Sequence, residues 1–451
     1  MANIKKKNST KSKKNKKVNR RVRLTLSLIL LLILIGLFGF AYFCPNQAEP
    51  ILKPLGLEYI LEFSPNYKPS IDKEPTPLPP TEGPTNNDGD SDLEGIVYDD
   101  FQIHFIELGN EFAGDCTYIK AGEYDIIIDA GSRKSSATTI KQYIDKYCTD
   151  GILEYVIATH AHQDHIAGFV GTKSSGKNNG ILYQYEIGTI IQYSLKKTNS
   201  GIANDFETAV DYCENKGTKV YNAAECWNEE NGASRSYSLG EGISFEIIYN
   251  AYYFEESSDE NEYSVCTMFT YNDHNFFFTG DLEKHGEEKM AAYYDGSTPE
   301  KTLPKVDLFK AGHHGSPTSS NNCLLEKIEP EICAVCCCAG NTEYTKNYNN
   351  VFPSQEFIDR ISKYTDRVYV TTLFNEKTDK FESMNGDIIV SCDGTNVAVS
   401  ASNNLIKLKD SEWFNQTVYV DSKNNIADKN GFFTENTPGV KAVPRRVWPS
   451  A

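Results

Sequence analysis

The stretch "IATHAHQDHIAGF", residues 157–169, places three histidines and an aspartate within six positions. The whole chain has eight histidines, so this density indicates a dedicated site. The stretch follows a strand-like segment, "EYVIATH", and we predict that a helix begins at Ile166. Imidazole and carboxylate groups suit Zn²⁺, Mn²⁺ or Fe, and a loop after a buried strand is a usual position for an α/β active site. The clustered residues are His160, His162, Asp164 and His165.

Two later segments repeat this arrangement of a polar residue after an apolar strand. "FFFTGDLE" reaches Asp281, and "LFKAGHHGSPTSS" reaches His313 and His314. Five of the eight histidines therefore fall in two loops, each placed after an apolar run. A single aspartate at a strand end is more often a cap or a turn residue. The three segments together, in this order, indicate one metal site.

The charge is distributed unevenly along the chain. The formal net charge is −17, yet residues 1–23 contain eleven Lys or Arg and no acidic residue. The remainder has 34 basic and 62 acidic residues, a net charge of −28. A basic tail that binds nucleic acid is one interpretation of residues 1–23. The apolar segment that follows residues 1–23 favours a different interpretation.

Residues 24–43, "LTLSLILLLILIGLFGFAYF", are twenty residues without a charge. About twenty apolar residues span the roughly 30 Å hydrocarbon core of a bilayer. The basic flank predicts that residues 1–23 stay in the cytoplasm. A cleaved signal peptide is the alternative, but no small-x-small cleavage site follows closely. We expect a single-pass transmembrane signal anchor in the cell membrane, with the catalytic part of the chain extracellular.

The rest of the chain divides into a linker, a folded domain and an extension. Residues 44–96 are rich in Pro, Asp and Gly, which predicts a linker without a core. Strand-like and helix-like segments alternate from 97 to 402, and this alternation favours an α/β sandwich. For residues 403–451 we expect one or two added strands and a tail, in an extension of unknown role.

Twelve cysteines are present, and four of them crowd into "EICAVCCCAG". Adjacent residues of a strand point to opposite faces, so neighbouring cysteines cannot pair without strain. We interpret this run as small buried apolar residues in a strand. The sequence alone leaves open whether other cysteines form disulfides.

The ordered motifs resemble those of the metallo-β-lactamase superfamily, whose HxHxDH signature is matched by "HAHQDH". The resemblance is greater to the branch that contains the hydrolase domain of the competence DNA-uptake protein ComEC. That branch opens on "HFIDVGxGDS…LIDAG", seen here as "HFIELGNEFAGDCTYIKAGEYDIIIDAG". It continues with segments seen here as "NEYSVC", "FFFTGD" and "FKAGHHGS". The likeness covers about residues 101–400 and implies an αβ/βα sandwich, two mixed β-sheets flanked by helices.

The resemblance also implies a site for two divalent metal ions, with Zn²⁺ favoured and Mn²⁺ as the alternative. His160 and His162 would bind the first ion, and Asp164 and His165 the second. Asp281 would bridge the two. Two cations roughly 3.5–4 Å apart can clamp the attacking and the leaving oxygen of an in-line displacement.

The last histidine loop would provide one more ligand and one catalytic group. His314 rather than His313 is expected to bind the second ion, so His313 is free to contact a phosphate or protonate a leaving group. Asp164 would also orient the nucleophile, as a second catalytic group. The residues expected to support the ligands or contact substrate are Asp129, Asn261, Ser264 and Ser316.

The sequence departs from the superfamily pattern in two places. Many members supply a third histidine to the first metal, yet no histidine occurs here from 166 to 273. The ComEC-like branch shares this absence, which predicts a weaker first site or one more open to water and substrate. In "NNVFPSQEF", Phe352 and Ser354 stand where related sequences often carry histidines.

These observations favour a membrane-anchored, extracytoplasmic metal-dependent hydrolase. A phosphodiesterase that acts on nucleic acid, or on a cell-envelope or small phosphoester, fits the resemblance. The net charge of −28 opposes non-specific binding to DNA phosphates, so nucleic acid is the less favoured substrate. A β-lactamase or lactonase type hydrolase is one alternative, and a non-enzymatic binding protein with a relic metal site is another.

Overall fold

The computed structural model describes residues 94–108, 112–174, 176–378 and 380–450. All of them belong to one compact unit of the chain. The predicted cytoplasmic segment 1–23, the signal anchor 24–43 and most of the linker 44–96 lie outside the described residues. Across the described ranges, no helix is both long enough and apolar enough to cross a membrane.

Short strands and helices alternate through the described part of the chain. The strands are β1 (Phe101–Phe105), β2 (Thr117–Ala121), β3 (Tyr124–Ile128), β4 (Ile152–Ala158), β5 (Lys173–Ser174), β6 (Lys177–Asn178), β7 (Glu186–Gln192), β8 (Lys219–Asn222), β9 (Ser236–Gly240), β10 (Ile243–Ile248), β11 (Cys266–Tyr271), β12 (His274–Phe278), β13 (Leu308–Lys310), β14 (Ile332–Ala339), β15 (Val368–Asn375), β16 (Lys380–Ser383), β17 (Ile388–Cys392), β18 (Val397–Ala401), β19 (Thr417–Val420), β20 (Ala427–Asp428), β21 (Gly431–Phe432) and β22 (Lys441–Pro444). The helices are α1 (Ser136–Ile144), α2 (Gln163–Val170), α3 (Ile181–Gln184), α4 (Gly201–Glu214), α5 (Ala223–Asn228), α6 (Lys284–Tyr293), α7 (Asn322–Ile328) and α8 (Gln355–Ile361).

Two eight-stranded sheets form the framework. The first has the order β18-β17-β1-β2-β3-β4-β7-β8, and the second β16-β15-β14-β13-β12-β11-β10-β9. Both are mixed: β3, β4, β7 and β8 pair in parallel in the first sheet, and β12 to β15 in the second. Parallel strands covered on both faces consist of near-continuous apolar residues, which explains runs such as "DIII" in β3. The predicted α/β sandwich with two mixed sheets is confirmed.

Aromatic side chains of both sheets meet in the apolar core. Phe101 of β1 meets Phe276 of β12, with ring centroids 5.1 Å apart. Phe105 meets Phe278 at 6.3 Å in the same layer. Each ring is buried, so each removes a large apolar area from water. These contacts hold the ends of β12 close to the first sheet.

Helices cover the outer faces. Helix α4 begins after Ser200, whose side chain accepts a hydrogen bond from the Ala203 amide, and it buries Phe206 and Val210 at helical spacing. On the other side, α6, α7 and α8 pack a second apolar cluster against Phe277 and Phe309 of the second sheet. The helices therefore enclose both sheets, as the α/β pattern predicts.

The C-terminal segment is folded onto this framework. Strand β19 pairs with β22, and β20 pairs with β21, so the segment has four short strands rather than one or two. Leu408, Trp413 and Phe414 are buried in the same cluster as the second sheet's outer face. The segment is thus packed into the domain along most of its length.

The cysteine run forms β14 and behaves as an apolar strand. Cys333, Cys336 and Cys338 are buried and unpaired. Burial raises the pKa of the Cys333 thiol well above its ordinary value. Within the described residues ten cysteines are free thiols. The interpretation of this run as small buried residues agrees with the structure.

Candidate metal centre

The candidate site lies where parallel strands of both sheets end. Asp129 follows β3, and His160 follows β4 in the first sheet. Asp281 and His314 follow β12 and β13 in the second sheet. The carboxyl ends of parallel strands meet at one edge of a sheet, so strand ends from both sheets bring these side chains together.

Helix α2 begins three residues earlier than the sequence predicts. Its first residue is Gln163, not Ile166, because the His162 carbonyl already accepts hydrogen bonds from the amides of His165 and Ile166. His162 therefore takes the N-cap position with an extended backbone. Asp164 consequently lies in the first turn of the helix, and the helical backbone fixes the direction of its side chain.

A close approach of two loops fixes this helix start. A Cβ on Gly131 would lie 1.4 Å from the Asp164 carbonyl oxygen, so only glycine fits there. The Ala130 amide donates to the His165 carbonyl at 2.7 Å. The "IIIDAG" segment thus packs directly against the backbone of the histidine cluster.

Four side chains form what we call the second donor group, the set expected to bind the second metal ion: Asp164, His165, Asp281 and His314. One ligand atom from each lies within 4.8 Å of all the others. His165 Nε2 is 3.0 Å from Asp281 Oδ2, and His314 Nε2 is 3.6 Å from the same oxygen. Donor atoms that share one cation at about 2.0–2.2 Å lie roughly 3–3.5 Å apart. These spacings fit one divalent ion.

His160, His162 and Asp281 form the first donor group. His160 Nε2 lies 3.1 Å from His162 Nδ1 and 4.0 Å from Asp281 Oδ2. Two ring nitrogens that face each other need either a shared proton or a shared cation. Asp281 belongs to both donor groups, which is the placement expected of a bridging carboxylate.

The hydrogen bonds behind the rings leave the inner nitrogens as acceptors. His165 Nδ1 donates to Asp129 Oδ2 at 2.7 Å, and His314 Nδ1 donates to the Cys336 carbonyl at 2.7 Å. Neither partner can donate, so Nε2 of each neutral ring carries a lone pair. His314 Nε2 and Asp281 Oδ1 are buried without a well-formed hydrogen bond. The residues therefore fit a pair of divalent cations.

The pKa values of the site residues are set by burial and by their charged neighbours. Burial would raise the pKa of Asp281, but the imidazoles of His165, His314 and His313 outweigh burial and hold that pKa well below its ordinary value. Burial and the neighbouring histidines lower the pKa of His160 well below its ordinary value. His160 is thus neutral, the form in which imidazole binds a metal.

The residues expected to support the ligands lie directly behind them. Asp129 Oδ1 and Oδ2 accept from the Thr159 amide and hydroxyl at 2.8 and 2.7 Å. The Asp281 amide donates to the Ser264 hydroxyl at 3.1 Å, and Ser264 donates to the Asn261 carbonyl. Both Asn261 and Ser264 are buried, so they hold the Asp281 turn rather than face open space.

Ser316 and His313 lie in the loop that follows β13. The Ser316 hydroxyl is buried and is 2.8 Å from the Thr318 hydroxyl. His313 Nδ1 lies 3.1 Å from Glu283 Oε1, and its Nε2 lies 3.8 Å from Asp281 Oδ2. His313 therefore faces the same carboxylate as the proposed ligands.

Asp115 and Lys310 complete the site and were not predicted. Asp115 is 1% exposed, forms an ion pair with Lys310, and its Oδ1 lies 3.2 Å from His314 Nδ1. Burial would raise the pKa of Asp115, but Lys310 and His314 lower it. Asp115 lies in "GDC" and Lys310 in "FKAGHHGS", so both stand in motifs that the resemblance already marks.

Tyr344 was not predicted either, and the sequence carries no signal for it. Its hydroxyl donates to Asp164 Oδ2, and its ring packs on Phe352 with centroids 5.6 Å apart. The neighbouring Glu343 pairs with Arg133. A loop of the second sheet therefore reaches across to the helix that carries Asp164.

Residues 109–216 match the family model described as the metallo-beta-lactamase superfamily. The chain contains a metallo-beta-lactamase domain. The matched range includes Asp129 and the histidine cluster from His160 to His165. The predicted superfamily is confirmed.

Two curated proteins are similar to this chain. Recombination protein 2 of Haemophilus influenzae is 24% identical over 275 residues, which are 60% of this chain and 28% of that protein. ComE operon protein 3 of Bacillus subtilis is 24% identical over 222 residues, 49% of this chain and 23% of that protein. The chain thus spans about a quarter of the length of these relatives. The predicted ComEC-like branch is confirmed at this low identity.

Two solved structures are similar to this chain at low scores. The metallo-beta-lactamase fold protein YhfI of Bacillus subtilis has a TM-score of 0.35 and 11% identity, covering 60% of this chain and 95% of that one. A metallo-beta-lactamase of Hirschia baltica has a TM-score of 0.22 and 12% identity, covering 42% of this chain and 70% of that one.

Proposed function

We propose that this chain is a membrane-anchored, extracytoplasmic phosphodiesterase that depends on two divalent metal ions, Zn²⁺ first and Mn²⁺ as the alternative. The observation that supports it is Asp281, a buried carboxylate that belongs to the second donor group and also lies 4.0 Å from His160 of the first. The absence of a histidine between 166 and 273 favours phosphoester chemistry over lactam or lactone hydrolysis.

Some residues of the site would hold the cations, and others orient these ligands or the nucleophilic water. When bound, the two cations supply Lewis-acid chemistry, which acidifies water and stabilises charge on phosphoryl oxygens. Asp129 orients His165, and the Cys336 carbonyl orients His314. Asp164 lies between His314 and the Tyr344 hydroxyl, where its carboxylate can orient a nucleophilic water.

The charge of the described surface favours a small or cell-envelope phosphodiester over nucleic acid. Non-specific nucleic-acid binding needs several free Lys or Arg that neutralise phosphates. The basic segment "SLKKTNS" offers Lys196 and Lys197, but Lys196 pairs with Glu207 and Lys197 donates to the Ser258 carbonyl. At the edge of the site, Arg133 pairs with Glu343. Nucleic acid is therefore the second choice of substrate.

The activity test uses the full-length chain, purified in detergent and loaded with Zn²⁺ or Mn²⁺. The substrates are bis-p-nitrophenyl phosphate, p-nitrophenyl phosphorylcholine, short single-stranded DNA and a chromogenic β-lactam. We expect turnover of the phosphodiesters, lost in Asp281→Asn, and no turnover of the β-lactam. The matched control is Asp211→Asn, an exposed aspartate of α4. A doubly metal-loaded protein without phosphodiester turnover would overturn the proposal.

The membrane topology needs a separate test. Residues 1–23 and 24–43 predict a cytoplasmic N-terminus and an extracellular domain. Protease added to intact cells is expected to remove the domain and to spare an N-terminal epitope tag. Protection of the domain until the cells are lysed would contradict this topology.

A further inference from the structure

His313 and His314 share an uncommon backbone conformation. Their φ and ψ angles are 46° and 50°, and 55° and 24°, which place both in the left-handed region. Residues other than glycine rarely adopt it, and two in succession persist only where the surroundings hold them. Here the His313 amide contacts the Gly280 carbonyl, and the His313 carbonyl accepts from the Ser316 amide at 2.8 Å.

This turn aims two successive imidazoles at one oxygen. His313 Nε2 lies 3.8 Å from Asp281 Oδ2, and His314 Nε2 lies 3.6 Å from it. The two ring centroids are 6.0 Å apart, so the rings approach Asp281 from different sides. In an ordinary strand or helix, neighbouring side chains point apart. The strained turn thus places a second imidazole beside the bridging carboxylate.

The outer nitrogen of His313 is held by a carboxylate. Nδ1 lies 3.1 Å from Glu283 Oε1 and 3.3 Å from the Thr318 hydroxyl. Glu283 is itself fixed by the Asn261 amide at 3.0 Å and the Thr318 hydroxyl at 2.9 Å. A carboxylate on the outer nitrogen is the usual arrangement behind a metal-binding imidazole, and Asp129 does the same behind His165. Glu283 therefore directs the Nε2 lone pair of His313 towards Asp281.

We infer that His313 Nε2 is a ligand of the first metal ion, together with His160, His162 and Asp281. His313 Nε2 is closer to Asp281 Oδ2, at 3.8 Å, than His160 Nε2, at 4.0 Å. The first site then has three imidazoles, although the segment 166–273 supplies none. Glu283 is the positioning residue. This assignment rests on the proposed two-metal function and replaces the phosphate-contacting role expected for His313.

The test measures metal rather than turnover. The full-length chain, His313→Ala, Glu283→Gln and the control His285→Ala are stripped with a chelator and titrated with Zn²⁺ against a chromophoric competitor. Loss of an outer partner costs about 10–100-fold in metal affinity. We expect about 10-fold weaker binding of one ion in Glu283→Gln and more than about 100-fold in His313→Ala. His285 is 78% exposed, and its variant should bind both ions normally.

A second measurement needs no variant and so does not depend on the folding of a mutant. Nitrogen NMR of the histidine rings in the zinc-loaded wild-type chain distinguishes metal-bound from free nitrogens. We expect five of the eight histidines to be metal-bound. Four bound histidines, or a folded His313→Ala protein with two ions at wild-type affinity, would overturn the inference. Both readouts are independent of phosphodiester turnover, whose absence would affect only the proposed function.

Discussion

At the scale of single residues, Asp129 shows how one side chain orders a ligand. Its backbone has a positive φ of 57°, which turns the carboxylate away from β3 and towards the histidine cluster. One carboxylate then accepts from the Thr159 amide, the Thr159 hydroxyl and His165 Nδ1. Three bonds on two oxygens fix both the tautomer and the direction of the His165 ring.

Replacement of Asp129 by asparagine should weaken the second metal site. The amide has one acceptor oxygen where the carboxylate has two, so it cannot serve Thr159 and His165 in the same way. We expect metal affinity to fall by about 10–100-fold, measured by competition with a chelator. Asp211→Asn, on the exposed face of α4, is the matched control. An Asp129→Asn protein with wild-type affinity would show that His165 needs no partner.

At the scale of elements, Arg360 ties helix α8 to the loop after the two histidines. Its guanidinium donates to the carbonyls of Pro317, Ser319 and Ser320 at 3.0, 2.8 and 2.9 Å. On the other side of this loop, the buried Glu287 of α6 accepts from the Ser320 amide at 2.6 Å. One loop is thus held by two helices through opposite charges.

Arg360→Lys should therefore destabilise the domain. An ammonium group lacks the planar fork of guanidinium and cannot reach three carbonyls at once. We expect the free energy of unfolding to fall by about 1.5–3 kcal/mol, measured by denaturant titration. Lys363→Gln, at an exposed position just after α8, should change it by less than about 0.5 kcal/mol. Equal effects of the two substitutions would contradict the role given to Arg360.

The start of β12 carries a pH-dependent contact. His274 Nδ1 lies 2.8 Å from Asp307 Oδ1. Burial alone would lower the pKa of His274, but the hydrogen bond to Asp307 raises it above its ordinary value of 6.5. A raised folded pKa means that the contact stabilises the fold fully below pH 6.5, and that this contribution is lost as the pH rises through the folded pKa.

The wild-type chain should therefore exceed His274→Gln in free energy of unfolding by more at about pH 5.5 than at about pH 9. The difference is at most about 1 kcal/mol, because the pair is partly exposed to solvent. Denaturant titrations at both pH values measure it. A difference that grows with pH would have the wrong sign and would contradict the proposed ion pair.

At the scale of the whole molecule, the C-terminal segment supports the site from outside. Arg446 is 4% exposed, and its guanidinium donates to the carbonyls of Pro353 and Val351. Phe352, between these two residues, packs on the His313 ring with centroids 5.5 Å apart. The segment that follows the two sheets thus holds the loop that covers the metal centre.

A chain truncated after residue 402 should not fold stably. It loses several buried apolar side chains, among them Leu408, Trp413 and Phe414, each worth roughly 1.5–3 kcal/mol. That loss is comparable to the total stability of a domain, about 5–15 kcal/mol. We expect aggregation on expression, or a protein without a cooperative thermal transition by circular dichroism. Truncation after Trp448 removes the exposed Pro449 and Ser450, together with Ala451, and should have no such effect.

The sequence by itself determined the features that depend on local order. Apolar runs such as "IIID" and "FFFTGD" show where buried strands end, and the polar residue after each run is then placed at a sheet edge. This is why an α/β sandwich with polar loops at the strand ends was predictable, whereas the two mixed sheets and the bridging position of Asp281 were implied by the resemblance of the motifs. The spacing of the histidine cluster also predicts neighbouring ligands, because it is set by a few bonds of backbone.

Only the tertiary structure decided the contacts between distant segments. Tyr344 meets Asp164 across 180 residues of chain, and Arg446 meets Pro353 across 93. Helix α2 begins at Gln163 rather than Ile166 because the Asp129 loop packs against it. His313 faces Asp281 and Glu283 only because its backbone is left-handed. Such contacts depend on how the two sheets pack, and periodicity along one segment carries no information about the surface it meets.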